Sequence, residues 1–163
     1  MELSKMEEKD FDRFYAMANA YYREGEDRDT PQNEIDDFIR LLFDMVTAGE
    51  IFGRFLKEEG ADIGFALWAI DREGFAFSEM PGYGTILEFG ILPPYRRAGR
   101  GRKFAQHIEN CLYYNFVDNC YVLAYPPSQQ FWTSCGYVPN GKTAKNGLPI
   151  LVKSVLGEAD DRA

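Results

Sequence analysis

Apolar residues in the N-terminal third of the chain recur at three- and four-residue spacing, which predicts two amphipathic helices. The first covers about residues 7–24, and the second covers about 31–48. Thr30 suits a helix cap and Pro31 suits the first position of the second helix. The two apolar stripes consist of Phe11, Phe14, Tyr15, Ala18, Tyr21 and Tyr22, and of Ile35, Phe38, Ile39, Leu42, Met45 and Val46.

After Gly49 the pattern changes from helical to extended. The stretch "EIFGRFLKEEGADIGFALWAI" predicts two strands joined by a turn at residues 58–61, and the second is apolar enough to lie inside a sheet. "REGFAFSEMPGYG" predicts a loop with an irregular extended piece. "TILEFGIL" predicts another strand, which ends at Pro93 and Pro94 because proline cannot donate to a sheet ladder.

The C-terminal half alternates helices with strands. A helix is predicted over about residues 97–116, then a buried strand "CYVLAYP", a short helix "SQQFWTSC" ending at Gly136, and a final strand "LPILVKSV". The order is helix, helix, strand hairpin, strand, helix, strand, helix, strand. It predicts one α/β domain with a mixed sheet over residues 1–156, followed by a solvated tail at residues 157–163.

Composition narrows the class of protein. The chain has 163 residues, of which 45% are hydrophobic and 27% charged, as in soluble globular proteins. It has no run of apolar residues long enough to span a membrane, and its N-terminus is too acidic for a secretory signal, so we expect a cytoplasmic protein. The aromatic share of 15% suits either a homodimer interface or a large core.

Charge and cysteine content exclude further classes. The formal net charge of −8 argues against a nucleic-acid partner and favours cationic or amine-bearing substrates. Cys111, Cys120 and Cys135 are odd in number and lack C-x-x-C spacing. We therefore expect reduced core thiols, with neither a disulfide framework nor a metal site.

One basic stretch stands out in this acidic chain, "LPPYRRAGRGRKF" at residues 92–104. A strand that turns through "RRAGRG" into a helix directs first-turn backbone N–H groups at one spot, where the helix dipole also favours an anion. Phosphate or pyrophosphate is the ligand that suits this turn. A P-loop would need Lys-Ser/Thr after Gly101, and a dinucleotide fingerprint would need glycine in place of Phe104.

The stretch "ILPPYRRAGRGRKF" resembles the acetyl-CoA signature of the GNAT superfamily of N-acetyltransferases, [Gln/Arg]-x-x-Gly-x-[Gly/Ala]. Here that core is "RRAGRG", residues 96–101, and it follows a strand that ends in an apolar-x-Pro motif. "FWTSCGY", residues 131–137, is similar to the aromatic-x-x-x-Gly-aromatic segment of the family. The order of helices and strands agrees over nearly the whole chain.

This resemblance implies a mostly antiparallel mixed sheet flanked by helices and splayed at an acetyl-CoA site. The amides of residues 97–102 would hold the pyrophosphate, and the strand edge at residues 89–91 would pair with the pantetheine arm. Gly90 suits either that close approach or packing under an aromatic neighbour. The implied coenzyme-binding residues are Phe89, Gly90, Ile91, Arg96, Arg97, Ala98, Gly99, Arg100, Gly101, Arg102, Ser128, Phe131 and Trp132.

Acetyl transfer from a thioester to an amine needs a base that takes the amine proton and a hydrogen-bond donor for the carbonyl oxygen as it becomes anionic. The departing thiolate can also take a proton from an acid. Glu88 is the carboxylate inside the predicted central strand, and it serves either as base or as a substrate-binding or structural group. A strand amide near Ile91 is the candidate donor. In many GNAT enzymes a tyrosine acts as the general acid at the position where this chain has Trp132. An indole cannot donate a proton to a thiolate as a phenol does. Tyr125 or Tyr137 would then act as acid, or the thiolate would leave unassisted.

The acceptor is an open question. The acidic segment around "REGEDRDTPQNE" favours a cationic small-molecule amine or a peptide lysine, or it is simply a solvated loop; its acids are Glu24, Glu26, Asp27, Asp29 and Glu34. His107, mid-helix, is expected at the surface. The chain is therefore expected to be an acetyl-CoA dependent N-acetyltransferase. The alternatives are a coenzyme-binding regulatory module without transfer and, more weakly, an RNA-binding protein.

Overall fold

The computed structural model describes residues 1–25 and 27–155. Its helices are α1 (Phe11–Glu24), α2 (Gln32–Thr47), α3 (Arg100–Tyr114) and α4 (Pro126–Ser134), with short 3-10 turns at Glu8–Asp10 and Pro93–Tyr95. Its strands are β1 (Glu2–Lys5), β2 (Phe52–Glu58), β3 (Ala61–Ile70), β4 (Gly84–Ile91), β5 (Asn119–Leu123), β6 (Val138–Thr143) and β7 (Pro149–Ser154).

These elements form two compact units. The first unit comprises Met1–Leu67 and Glu88–Ala98. Its strands are hydrogen-bonded in the order β1-β2-β3-β4, and β1 is antiparallel to β2. Its core is aromatic, because Phe14 of α1 packs against Phe43 of α2 and Phe65 of β3, with ring centroids 5.7 Å apart in both pairs.

The second unit comprises Trp68–Leu87 and, among the described residues, those from Gly99 to Val155. Its strand order is β3-β4-β5-β7-β6, in which β4 is parallel to β5 and β7 is antiparallel to both of its neighbours. Within the described residues β4 and β5 pair at Gly84 and Thr85, opposite Cys120 and Tyr121. The fold is the expected α/β arrangement with a mixed, mostly antiparallel open sheet.

The expected elements are confirmed, and two strands are added. β1 and β6 lie at the ends of the strand order, and most of their residues are exposed or half-buried. Edge strands are often short and polar, so the sequence has no apolar run that would predict them. β6 also contains Pro139, a residue that argues against a strand in a sequence pattern. The predicted Thr30 cap is wrong, because Pro31 occupies the cap position and α2 begins at Gln32.

Other expectations stand as follows. The three cysteines are free, with Cys120 and Cys135 buried. Within the described ranges, no helix combines the length and the apolar character that crossing a membrane would need. The predicted domain end at residue 156, the tail at 157–163 and the candidate acceptor residue Glu26 lie outside the described residues.

Asp71 organises the loop between β3 and β4. Its side chain is buried, and one carboxylate oxygen accepts the backbone N–H groups of Glu79 and Met80 and the hydroxyl of Tyr121, at 2.7–2.9 Å. Burial alone would raise the pKa of Asp71, but hydrogen bonds from Ser78, Tyr121 and the two amides outweigh it and lower the pKa. The ionised carboxylate of Asp71 therefore holds this loop in place through hydrogen bonds.

We expect Asp71→Asn to destabilise the protein by about 2 kcal/mol at neutral pH, because the bound donors lose a charged acceptor. A depressed folded pKa contributes stability above the ordinary carboxyl pKa of 3.8, and that contribution is lost as the pH falls through the folded value. The difference between wild type and variant in urea unfolding should therefore shrink in acid. A constant difference from pH 7 to pH 2.5 would contradict this account; Tyr121→Phe, which removes one donor, is the milder control.

Two glycines face each other across β3 and β4, and they should respond differently to a methyl group. A Cβ at Gly64 would overlap the backbone carbonyl oxygen of Gly90, whereas a Cβ at Gly90 would meet side-chain atoms of Phe65 and Tyr21 at 3.0 Å. The aromatic rings of Phe65 and Tyr21 can shift to make room for a methyl group, whereas the backbone of a strand paired in a sheet cannot. Gly64→Ala should cost about 3 kcal/mol and Gly90→Ala about 1 kcal/mol in chemical denaturation. Equal costs would contradict the assignment of the Gly64 clash to the backbone.

Candidate functional site

The two edges of β4 have different roles near its C-terminal end. The Gly90 carbonyl lies against Gly64 of β3, and the Leu92 N–H donates to the Ile63 carbonyl at 2.8 Å. Because backbone direction alternates along a strand, the N–H and C=O groups of Phe89 and Ile91 point away from β3. We call this the far edge of β4. Gly90 was expected to share this edge, but its carbonyl faces β3 instead.

The two faces of β4 also differ. A side chain at Gly90 would meet Phe65 and Tyr21, so this face is the one that α1 covers. These contacts agree with the interpretation that Gly90 packs beside aromatic neighbours, and the close approach of a ligand to its backbone stays a prediction. Since side chains alternate between faces, Glu88 lies on the same face as position 90. The half-buried Glu88 therefore stands on the α1 side of the sheet.

A small cleft of about 50 Å³ lies beside Gly90. Its walls are mostly apolar, and Glu24 and Arg96 bring charge to it. The lining residues are Met17, Ala20, Tyr21, Glu24, Phe65, Gly90, Ile91, Leu92, Pro93 and Arg96. An apolar cleft with one carboxylate and one guanidinium suits a small ligand that carries both apolar and charged groups.

Arg96 closes the polar side of this cleft. Its Nε donates to the Ile91 carbonyl at 2.7 Å, on the far edge of β4, and its Nη2 bonds the Glu24 carboxylate. Both charged side chains remain partly exposed, at 41% for Arg96 and 43% for Glu24. The guanidinium thus joins the last residue of α1 to the end of β4.

The turn after Arg96 has the backbone expected of an anion site. Arg97 adopts φ +69° and Gly99 adopts φ +76°, the left-handed region that glycine enters without strain. Helix α3 begins at Arg100, so the N–H groups of its first turn, including Gly101 and Arg102, have no carbonyl within the helix to bond. The side chains of Arg97 and Arg102 are exposed to solvent. Backbone donors and cationic side chains therefore occur together in this segment.

Tyr22 lies next to Glu88 and was identified in the sequence only as part of an apolar stripe. The ring is buried at 5% exposure, and within the described part of the chain its hydroxyl has no hydrogen-bond partner. Burial raises its pKa well above the ordinary value, and the charge of Glu88 raises it further. A buried donor beside a carboxylate is a feature that apolar periodicity cannot reveal.

The aromatic segment of α4 and the residues after it form an interior cluster in the second unit. Trp132 is buried, and its ring lies edge-on to Phe131 at 4.9 Å and to Tyr137 at 5.3 Å. Half-buried Tyr125 caps α4, and its carbonyl accepts both the N–H and the hydroxyl of Ser128, at 2.9 and 3.0 Å. Trp132 thus acts as a packing residue.

Tyr137 is fully buried, and its hydroxyl donates to Oε2 of Glu109 at 3.1 Å. Lys153 bonds the other carboxylate oxygen of Glu109 at 2.6 Å. Burial, and then Cys120 and Glu109, raise the pKa of Tyr137 well above its ordinary value. The hydroxyl proton of Tyr137 is therefore held in an interior network, which argues against its predicted role as general acid.

One further residue that the sequence singled out, His107, is predicted to lie at the protein surface. His107 is exposed on α3, as expected. Within the described ranges, no group of three metal-ligating side chains is close enough to hold an ion.

With this geometry established, the chain can be compared with known proteins. No protein-family model matches the sequence, and no curated protein matches it. The N-acetyltransferase PaiA from Thermoplasma acidophilum, solved with coenzyme A, has a TM-score of 0.69 at 13% identity, over 94% of this chain and 98% of that one. The chain has the GNAT fold.

Solved acetyltransferases of other described specificity are also similar to this chain in fold. The aminoglycoside acetyltransferase AAC(6')-Ib, solved with coenzyme A and kanamycin, has a TM-score of 0.73 at 18% identity over 93% of each chain. The ribosomal-protein-S18-alanine N-acetyltransferase from Escherichia coli has a TM-score of 0.61 at 14% identity, over 98% of this chain and 97% of that one. Similarity at this level establishes the fold and leaves the acceptor open.

Proposed function

We propose that this protein is an N-acetyltransferase that transfers an acetyl group from acetyl-CoA to the primary amine of a small cationic substrate or a peptide. The observation that carries the proposal is the segment from β4 through the basic turn into α3, in a chain with the GNAT fold. Two proteins of this fold named above were solved with coenzyme A, which supports the same ligand here.

The residues of this segment fit the coenzyme. The first-turn amides of α3 and the side chains of Arg97 and Arg102 suit a diphosphate. The far edge of β4, with its donor and acceptor at Ile91, suits the amide groups of a pantetheine arm. Bound acetyl-CoA would supply an activated acetyl thioester.

The chain's own groups would supply the rest of the chemistry. Glu88, on the α1 face of β4, would accept the proton that the acceptor amine loses, directly or through water. The Ile91 N–H would donate to the carbonyl oxygen as negative charge develops on it. Tyr22, beside Glu88, would orient that carboxylate. The departing thiolate would take its proton from Tyr125 or from solvent.

Charge favours a cationic acceptor. The net charge of −8 attracts cations, while the apolar walls of the cleft accept a hydrocarbon body. Kanamycin, a polyamine, is bound by a protein of the same fold. Within the class of amines, we therefore expect a cation with an apolar part.

The proposal is tested by release of free thiol from acetyl-CoA across a panel of amines that includes kanamycin, spermidine and phenethylamine. At least one amine should raise the rate well above hydrolysis. Glu88→Gln should lower kcat by about 100-fold with little change in KM, since a general base contributes about that much. A rise in KM at constant kcat would instead make Glu88 a binding residue.

The general acid can be tested with matched tyrosine variants. If Tyr125 protonates the thiolate, Tyr125→Phe should lower kcat by about tenfold or more and flatten the alkaline limb of the pH profile. Tyr137→Phe should leave kcat nearly unchanged and instead lower stability by about 1 kcal/mol, because Glu109 loses a buried donor. A large loss of kcat in Tyr137→Phe alone would contradict the structural role assigned to that residue.

A second function is favoured by the interior position of Trp132 and by the bond between Tyr137 and Glu109. With neither residue able to supply a proton, the chain could be a coenzyme-binding regulatory module that has lost transfer. Calorimetry with acetyl-CoA separates the two functions. Binding without any amine-dependent thiol release would favour the regulatory module, and absence of both would contradict the proposed function altogether.

A further inference from the structure

The contacts of Arg96 involve two groups that an acetyltransferase would need for its ligands. The first is the Ile91 carbonyl, which accepts from Arg96 Nε at 2.7 Å. It is the carbonyl on the far edge of β4, where an amide of the pantetheine arm would bond. A guanidinium on this oxygen therefore stands in the path of that arm.

The second group is the Glu24 carboxylate at the cleft. While Arg96 is bonded to it, its negative charge is compensated from within the chain. A cationic acceptor would then gain little from the same carboxylate, because the guanidinium already supplies the positive charge.

We propose that Arg96 exchanges between these two groups and the diphosphate of the coenzyme, so that coenzyme binding opens the far edge of β4 and frees Glu24 for a cation. The inference rests on the proposed function. Arg96 is thus a positioning residue that couples the coenzyme site to the cleft, in addition to its place in the basic turn.

The exchange is energetically accessible. Arg96 and Glu24 are 41% and 43% exposed, and exposed ion pairs contribute little to stability. A diphosphate offers a guanidinium several charged acceptors in a bidentate geometry, which is a stronger interaction. Arg96 lies one residue before Arg97 in the chain, so its side chain and the anion turn belong to one continuous segment.

The test is a double-variant cycle read by calorimetry with coenzyme A as the probe. Glu24→Gln should tighten coenzyme A binding by about two- to fivefold, the range that loss of an exposed ion pair allows. In an Arg96→Gln background, the same Glu24→Gln change should have almost no effect. Arg96→Gln alone should weaken binding by about tenfold, because a charged contact to phosphate is lost.

Asp12→Asn is the matched control for charge. Asp12 is exposed on the same helix, and its substitution changes the net charge by the same amount. It should leave coenzyme A affinity nearly unchanged. If Asp12→Asn tightens binding as much as Glu24→Gln does, or if Glu24→Gln acts equally in both backgrounds, the exchange is refuted and the effect is general electrostatics.

A crystal structure of the coenzyme A complex gives a second readout. We expect Arg96 Nε to have left the Ile91 carbonyl; a guanidinium still bonded to both Ile91 and Glu24 with coenzyme bound would overturn the exchange. Failure of the proposed function is distinguishable from this outcome. In that case wild type, Glu24→Gln and Arg96→Gln would all show no heat of coenzyme A binding, and the inference would fall with it.

Discussion

The site depends on one constraint, that every backbone hydrogen-bonding group at the end of β4 must find a partner. On one side, the Leu92 N–H is satisfied by the Ile63 carbonyl of β3, and the Gly90 carbonyl lies against Gly64. On the other side, the described pairs with β5 lie at Gly84 and Thr85, while β4 continues to Ile91. The Ile91 carbonyl is satisfied by a side chain instead, that of Arg96. A strand edge whose partner is a side chain can give up that partner for a ligand more easily than an edge paired to another strand.

The same region combines packing and chemistry on one face. The absence of a side chain at Gly90 allows Tyr21 and Phe65 to approach β4 and leaves room for the cleft. Glu88, two residues earlier, projects from the same face next to the unsatisfied hydroxyl of Tyr22. A buried polar group without a partner costs free energy, so its position beside a carboxylate is consistent with a site that water or substrate completes. In the second unit, one carboxylate oxygen of Asp71 and both carboxylate oxygens of Glu109 accept hydrogen bonds from within the chain.

Much of the fold could be predicted from the chain because most elements bury a continuous apolar face. The stripes of α1 and α2 and the apolar run in β3 follow from this requirement. β1 and β6 were not predictable, since edge strands are held by backbone hydrogen bonds that any residue can make. The basic turn was recognisable because it needs glycine at 99 for a left-handed backbone and arginines for charge. The resemblance to the GNAT signature is confirmed at the level of the fold.

By itself the sequence determined most of the helices and strands and marked the basic turn as a candidate anion site, because both are local properties of spacing, glycine and charge. The tertiary structure alone decided which side chains meet. Glu24 and Arg96 are far apart in the chain, yet they form an ion pair, and Tyr137, a suitable acid by residue type, is engaged with Glu109 in the interior. Periodicity reports which face of an element is buried, but the partner across that face is set by long-range packing, which no local pattern encodes.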